Sequence, residues 1–116
     1  MKKPLLMCFL LLTLILGACG GGGVEGETVS ITGALIGEDQ NGFRENIKAI
    51  EEATGIIVTY QGSDNFEQEI QIQMESGDTP DFALFPQPGG VVDAAQRGML
   101  TSLEDLGIDL EEYKSN

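Results

Sequence analysis

The chain has 116 residues, with 19 acidic side chains against six basic ones, so its net charge is −13 at pH 7. A chain this acidic repels nucleic-acid phosphates and anionic headgroups, which argues against nucleic acid as a partner and against electrostatic membrane docking. There is no histidine and there are only two cysteines, Cys8 and Cys19. This excludes Ser-His and Cys-His catalysis and His/Cys zinc sites, whereas carboxylate-based catalysis stays chemically possible.

The first 18 residues have the three parts of an export signal: two lysines, an apolar run over residues 5–16, and small residues. The run is shorter than the roughly 20 residues that span a bilayer. Residues 16–19, Leu-Gly-Ala-Cys, resemble the bacterial lipobox, in which the cysteine is lipidated and the chain is cut just before it. The alternative is an ordinary signal peptide or an uncleaved anchor, with Cys19 present by chance.

On the lipobox interpretation, residues 1–18 are a signal peptide, residues 19–27 are the lipidated Cys19 and a glycine-rich tether, and residues 28–116 are the folded domain. Cleavage leaves four basic residues against 19 acidic ones, a net charge of −15. We therefore expect a lipid-anchored protein on the cell membrane, facing the periplasm or the cell exterior. The lipid, rather than charge, would be its attachment to the membrane.

Alternating apolar residues predict a first strand over residues 28–35. After a loop over residues 36–41, Phe43, Ile47 and Ile50 recur at helical spacing, and Gly55 supplies a stop. The acidic stretch in that loop lacks the alternating ligands and the distal glutamate of a calcium loop, so no metal or cofactor site is expected.

β-Branched and aromatic residues over 56–61 predict a second strand. Asp64 and Glu67 have the spacing of a capping box, which predicts a helix that stops near Gly77. An apolar run over residues 81–85 predicts a third strand that is covered on both faces.

The third strand is followed by a predicted loop over residues 86–90 and a short helix over residues 91–96. An apolar patch comes next, and another helix begins at residue 110. The alternation of strands and helices with short links predicts an α/β fold with a three-layer parallel sheet and right-handed crossovers. Ligands bind at the carboxyl ends of such strands, so the loops over residues 36–41, 62–65 and 86–90 are the candidate site.

Polar side chains in and beside these loops are the candidate ligand-binding residues, because polyols need fixed hydrogen-bond donors and acceptors. Ser63 and Asp64 follow the second strand, where helix capping is their alternative role. Tyr60 and Phe66 could stack on a sugar ring, but their positions favour core packing, and Asp81 is interpreted as structural because it begins a strand. Gln61 is a further candidate, as is Gln87, for which a stiff turn without a ligand role is the alternative. The last candidates, for which an exposed acidic turn is the alternative, are Glu38, Asp39 and Asn41.

Taken in order, these segments resemble the start of bacterial extracellular solute-binding protein family 1, the sugar-binding lipoproteins of ABC importers. The Phe-Pro-Gln-Pro-Gly run over residues 85–89 is most similar to alpha-glucoside-type members. The resemblance is carried by the lipobox and tether, the strand over 29–35, Phe43-Arg44-Glu45, residues 51–56 and 60–66, Gly77-Asp78-Thr79-Pro80-Asp81-Phe82-Ala83, the 85–89 run, Gly98-Met99-Leu100 and Leu103.

The resemblance implies a type II periplasmic-binding-protein fold, whose two lobes close on a sugar or oligosaccharide and deliver it to ABC permease subunits without chemistry. Members have several hundred residues, so the chain resembles an amino-terminal fragment, with a partial N-terminal lobe over residues 28–116. We expect such a fragment to be marginally stable and to bind ligand poorly alone. The alternative class is a surface lipoprotein that binds protein or acts as a carboxylate-based glycosidase.

Overall fold

The computed structural model describes residues 23–114, apart from the side chains of residues 112 and 113. The predicted signal peptide, the lipidation of Cys19 and the start of the tether lie outside these residues. The elements in chain order are β1 (Thr28–Gly33), α1 (Gly37–Thr54), β2 (Ile57–Gly62), α2 (Phe66–Ser76), β3 (Phe82–Leu84), α3 (Pro88–Gln96) and α4 (Glu111–Lys114).

The three strands form one parallel sheet in the order β2-β1-β3, which confirms the prediction of an α/β fold with a parallel sheet. Ile31 in the central strand is paired with Tyr60 on one side and with Phe82 on the other. The chain moves in one direction from β1 to β2 and returns past β1 to reach β3. With right-handed crossovers, this order places α1 and α2 on opposite faces of the sheet.

Helix α1 begins at Gly37, so the predicted loop over residues 36–41 is wrong in its extent. Glu38 and Asp39 lie in the first helical turn, where their charges favour the positive end of the helix dipole. This turn is exposed, so it lacks the apolar spacing that marked the helix from Phe43 onward. The predicted stop is confirmed, since Gly55 has a φ of 72° and its N–H donates to the Glu51 carbonyl at 2.8 Å.

Helix α2 begins at Phe66 with Asn65 as the preceding residue and no side-chain cap, so the predicted capping box at Asp64 is wrong. The Ser63 hydroxyl instead accepts the Asn65 N–H at 3.1 Å, which forms a local turn and shifts the helix start by one residue. The predicted stop at Gly77 is confirmed.

Helix α3 begins at Pro88, three residues earlier than predicted, which shortens the loop after β3. Proline suits the first position of a helix because that position needs no N–H donor. Strand β3 has three residues rather than the five predicted. As a result, the third strand and its neighbouring helix are joined by residues 85–87 alone.

The buried apolar side chains lie where helices cover the sheet. The Phe43 ring packs edge-on against Tyr60 with centroids 4.9 Å apart, and Phe66 packs against Phe85 at 5.3 Å, which confirms core packing for Tyr60 and Phe66. The buried apolar residues are Ile47, Tyr60, Phe66, Ile70 and Ala94.

Within residues 23–114, two apolar side chains that the sequence pattern predicts to be buried are exposed. Ile50 is 53% exposed on α1, and Phe82 is 57% exposed although its strand was expected to be covered on both faces. Phe82 lies in an edge strand, so within the described sheet it has a neighbouring strand on one side only. In this part of the chain, no helix has the length and apolar character needed to cross a bilayer.

Candidate functional site

The carboxyl ends of the three strands meet around one open concavity of about 290 Å³. Ala34 follows β1, Asp64 and Asn65 follow β2, and Pro86 follows β3. The first turn of α2 completes the lining with Phe66, Glu67 and Gln68. We call this the Asp64 cavity, and it lies at the edge where parallel sheets bind ligands.

Close backbone approach brings the strand ends together. The Ser63 N–H donates to the Gly33 carbonyl at 3.0 Å, which ties the segment after β2 to the end of β1. A Cβ at Gly33 would lie 2.8 Å from the Tyr60 hydroxyl and 2.9 Å from the Leu84 Cβ. A Cβ at Gly62 would overlap the Leu35 carbonyl oxygen. Glycine at the ends of β1 and β2 is therefore required by the packing at this edge.

Ser63 and Asp64 differ in how much hydrogen-bonding capacity they keep. The Ser63 oxygen already accepts the Asn65 N–H, so one O–H donor and one further acceptor position remain. The Asp64 side chain is exposed, and within residues 23–114 no protein donor bonds its carboxylate. Asp64 can therefore offer its carboxylate oxygens to a ligand in the cavity.

The charges around the Asp64 cavity are acidic. Asp64 and Glu67 line it, and no basic side chain is among its lining residues. Arg97 lies elsewhere, near Glu75 and Asp93, with a distance of 3.4 Å to each carboxylate. An anionic ligand would be repelled from the Asp64 cavity, whereas a neutral ligand rich in hydroxyl groups finds acceptors there.

The other predicted site residues lie apart from the Asp64 cavity. Glu38 and Asp39 are exposed in the first turn of α1, and Gln61 lies within β2. Asn41 lines a different concavity of about 280 Å³ between α1 and β2, together with Arg44 and Lys48 among others. Gln87 is the extended residue before α3. Of the predicted candidates, only Asp64 is in the cavity lining, next to Ser63 in the chain.

Sequence reasoning missed four residues at this edge. Asn65, Glu67 and Gln68 line the cavity, and the Gln40 side-chain oxygen lies within 2.8 Å of the position that a Gly62 Cβ would take. The sequence pattern could have indicated Asn65, Glu67 and Gln68, because it predicted that a helix begins just after β2, at this edge of the sheet. Gln40 lies between the candidates Asp39 and Asn41 in the segment predicted as a loop, and helix α1, which begins at Gly37, places it beside Gly62.

Asp81 lies at the amino end of β3, far along the sheet from the cavity. Its carboxylate accepts the Ser30 N–H at 2.8 Å and the Ser30 hydroxyl at 2.7 Å. Its own N–H donates to the Ser30 hydroxyl at 3.0 Å. These bonds, first from the Ser30 backbone and then from its side chain, hold the pKa of Asp81 below its ordinary value. The structure agrees with a structural role for Asp81.

The residues that the structure describes contain no group of three His, Cys, Asp or Glu side chains placed to hold a metal ion. The polar side chains that line the Asp64 cavity are the carboxylates of Asp64 and Glu67, which accept hydrogen bonds, and the amides of Asn65 and Gln68, which donate and accept them.

The chain is similar to two known binding proteins. It is 40% identical over 97 residues to the osmoprotective compounds-binding protein GgtB of Synechocystis sp., an alignment that covers 80% of this chain and 23% of that protein. It is 41% identical over 85 residues to the alpha-glucosides-binding periplasmic protein AglE of Rhizobium meliloti, covering 73% of this chain and 19% of that protein.

The chain thus spans about a fifth to a quarter of the length of the relatives it matches. No family model matches the chain, and no solved structure does. Both relatives are binding proteins by name, and one is periplasmic. The similarity supports the predicted solute-binding family and a substrate-binding role rather than a catalytic one.

Proposed function

We propose that the chain is part of a family 1 extracellular solute-binding protein, the component of an ABC importer that captures a sugar or oligosaccharide and delivers it to the permease. The observation that carries this proposal is the Asp64 cavity, where all three strand ends meet around a carboxylate that has no hydrogen-bond donor within residues 23–114. The similarity to two binding proteins supports it independently.

The lining of the Asp64 cavity favours a carbohydrate over other small solutes. Carboxylate and amide groups from Asp64, Asn65 and Gln68 suit the many hydroxyl groups of a sugar. A quaternary ammonium solute would need exposed aromatic faces. The one aromatic residue in the lining, Phe66, is 1% exposed and belongs to the core. An alpha-glucoside is the ligand class we propose.

The cavity is open and small for a complete ligand site, since such sites usually enclose about 300–1,000 Å³. We infer that residues 28–116 form a partial N-terminal lobe of a type II periplasmic-binding-protein fold, and that a second lobe closes over the Asp64 cavity. Asp64 and Ser63 are the first candidates for contact with the sugar. Closure would bring the ligand within reach of the further candidates Gln61, Gln87, Glu38, Asp39 and Asn41.

The proposed location follows from the amino-terminal sequence. Residues 1–18 would be removed as a signal peptide, and a lipid on Cys19 would hold the protein at the outer side of the cytoplasmic membrane, near its permease. A Cys19→Ala variant is expected to lose the incorporation of labelled fatty acid and to leave the membrane fraction. Retention of both label and membrane attachment would contradict the lipobox.

The binding function is tested with the full-length natural polypeptide that carries this sequence. Its melting temperature is measured with maltose, trehalose and glycine betaine, and each solute is then analysed chemically. We expect stabilisation by at least one alpha-glucoside, which is recovered unchanged. Hydrolysed sugar would support the glycosidase alternative, and stabilisation by betaine alone or by no solute would contradict the proposal.

A further inference from the structure

The hydroxyl group of Tyr60 connects the second strand to the segment that follows the first. Tyr60 is 5% exposed, and its Oη accepts the Leu35 N–H at 3.0 Å. The same oxygen donates its proton to the Leu35 carbonyl at 3.1 Å. One hydroxyl group therefore satisfies both backbone polar groups of a residue that lies two positions beyond the end of β1.

Neighbouring groups fix the Tyr60 side chain and backbone. The Phe43 ring packs edge-on against the phenol, and Gly33 leaves the space that the hydroxyl occupies. Arg44 donates through Nη2 to the Tyr60 carbonyl at 2.8 Å. Because the ring is packed and its strand is anchored, the hydroxyl is held in place rather than free to rotate toward water.

Leu35 adjoins Ala34, which forms one wall of the Asp64 cavity. The other neighbour of Leu35, Ile36, is the extended residue that leads into α1. The Leu35 carbonyl also lies directly against Gly62, where no Cβ could fit. Residues 34–36 are thus clamped against the end of β2, which sets the distance between Ala34 and Asp64.

We propose that Tyr60 is a positioning residue for the carbohydrate site: its hydroxyl fixes residues 34–36 and so forms the Ala34 wall before the ligand arrives. This inference rests on the proposed function. Tyr60 does not touch the sugar, and its effect on affinity comes from preorganisation, because a wall that is already ordered loses less entropy on binding.

The test removes this one oxygen with Tyr60→Phe in the full-length natural polypeptide. The matched control is Thr59→Val, which removes a hydroxyl from the adjacent position of β2, where it is exposed and makes only a 3.4 Å bond to the Val29 carbonyl. Affinity is measured with the alpha-glucoside that binds the unchanged protein. The exchange rate of the Leu35 amide proton is measured by NMR in all three proteins.

We expect Tyr60→Phe to accelerate exchange at Leu35 and to raise Kd about tenfold, the scale of one to two net hydrogen bonds. Thr59→Val should change neither. A purely structural role would lower the melting temperature and leave the Kd of the folded protein unchanged. Faster exchange at Leu35 with an unchanged Kd would therefore overturn the positioning role while leaving the proposed function intact.

The unmodified protein supplies a second readout that does not depend on whether the variant folds. The Leu35 amide should exchange more slowly than that of Ile36, whose N–H makes no hydrogen bond within residues 23–114. Equal rates would show that Tyr60 does not hold Leu35 and would overturn the inference. If Leu35 is protected but no carbohydrate binds the unmodified protein, the proposed function fails, and the positioning role fails with it.

Discussion

At the amino end of β3, Asp81 makes three hydrogen bonds with Ser30 that join β3 to β1. At the carboxyl end, Asp64 follows β2 and lines a cavity that all three strand ends border, and no donor within residues 23–114 bonds its carboxylate. The two aspartates are both exposed and both flank strands, so residue type and solvent exposure do not distinguish them. The difference lies in their partners: Ser30 donates two hydrogen bonds to the Asp81 carboxylate, whereas no donor within residues 23–114 bonds the Asp64 carboxylate.

The largest effect should come from Gly62→Ala, because the packing at the carboxyl end leaves no room for a methyl group beside the Leu35 carbonyl. We expect a loss of about 1–3 kcal/mol in the free energy of unfolding, together with at least a tenfold loss of carbohydrate affinity. Chemical denaturation measures the free energy of unfolding, and titration calorimetry measures the affinity. Gly42→Ala is the control, since nothing lies within 4 Å of its added Cβ. It should leave the affinity unchanged and raise rather than lower the free energy of unfolding, because alanine favours a helix over glycine.

Asp64→Asn should separate binding from stability. Loss of a hydrogen bond between a charged carboxylate and the sugar corresponds to about a 10-fold to 100-fold increase in Kd. The melting temperature should stay unchanged, because the carboxylate has no partner in the described part of the chain. Asp105→Asn removes the same charge from an exposed position outside the cavity and serves as the control. If Asp64→Asn lowers the melting temperature without changing the affinity, then Asp64 has a structural role and the proposed contact with the sugar is wrong.

Asp81→Asn should give the opposite result, with unchanged affinity and a lower melting temperature. The pKa of Asp81 is held below its ordinary value of 3.8 by Ser30, so its stabilising contribution is present above that pH. The contribution is lost as the pH falls through the lowered pKa. Thermal melts should therefore show the largest difference between variant and parent near pH 7, and the difference should shrink as the pH is lowered below 3.8. A difference that is independent of pH would contradict this assignment.

The sequence was sufficient to predict the elements whose signals are local. Strand alternation predicted β1, and the glycines at 55 and 77 predicted where α1 and α2 end. Helix starts were less accurate, because the first turn of α1 is exposed and α3 begins at a proline followed by two glycines. At Asp64, the capping prediction failed because Ser63 forms a turn that moves the helix start.

The candidate site could be predicted only in part. The rule that ligands bind at the carboxyl ends of parallel strands led to Asp64, since the strand ends could be inferred from the pattern. The bond between the Tyr60 hydroxyl and Leu35 joins residues 25 positions apart, and it depends on how β2 aligns with β1. Residue spacing carries no information about that alignment. The exposure of Ile50 and Phe82 likewise depends on which elements cover each strand.

An NMR titration of the full-length natural polypeptide with maltose or trehalose tests whether a carbohydrate binds at the Asp64 cavity. We expect saturable amide shifts that cluster at residues 34–36, 64–68 and 86–87, and that weaken in Asp64→Asn. Saturable shifts that cluster instead around Lys48, Glu51 and Val58 in the concavity between α1 and β2, or a titration without saturable shifts for any alpha-glucoside, would contradict carbohydrate binding at this cavity.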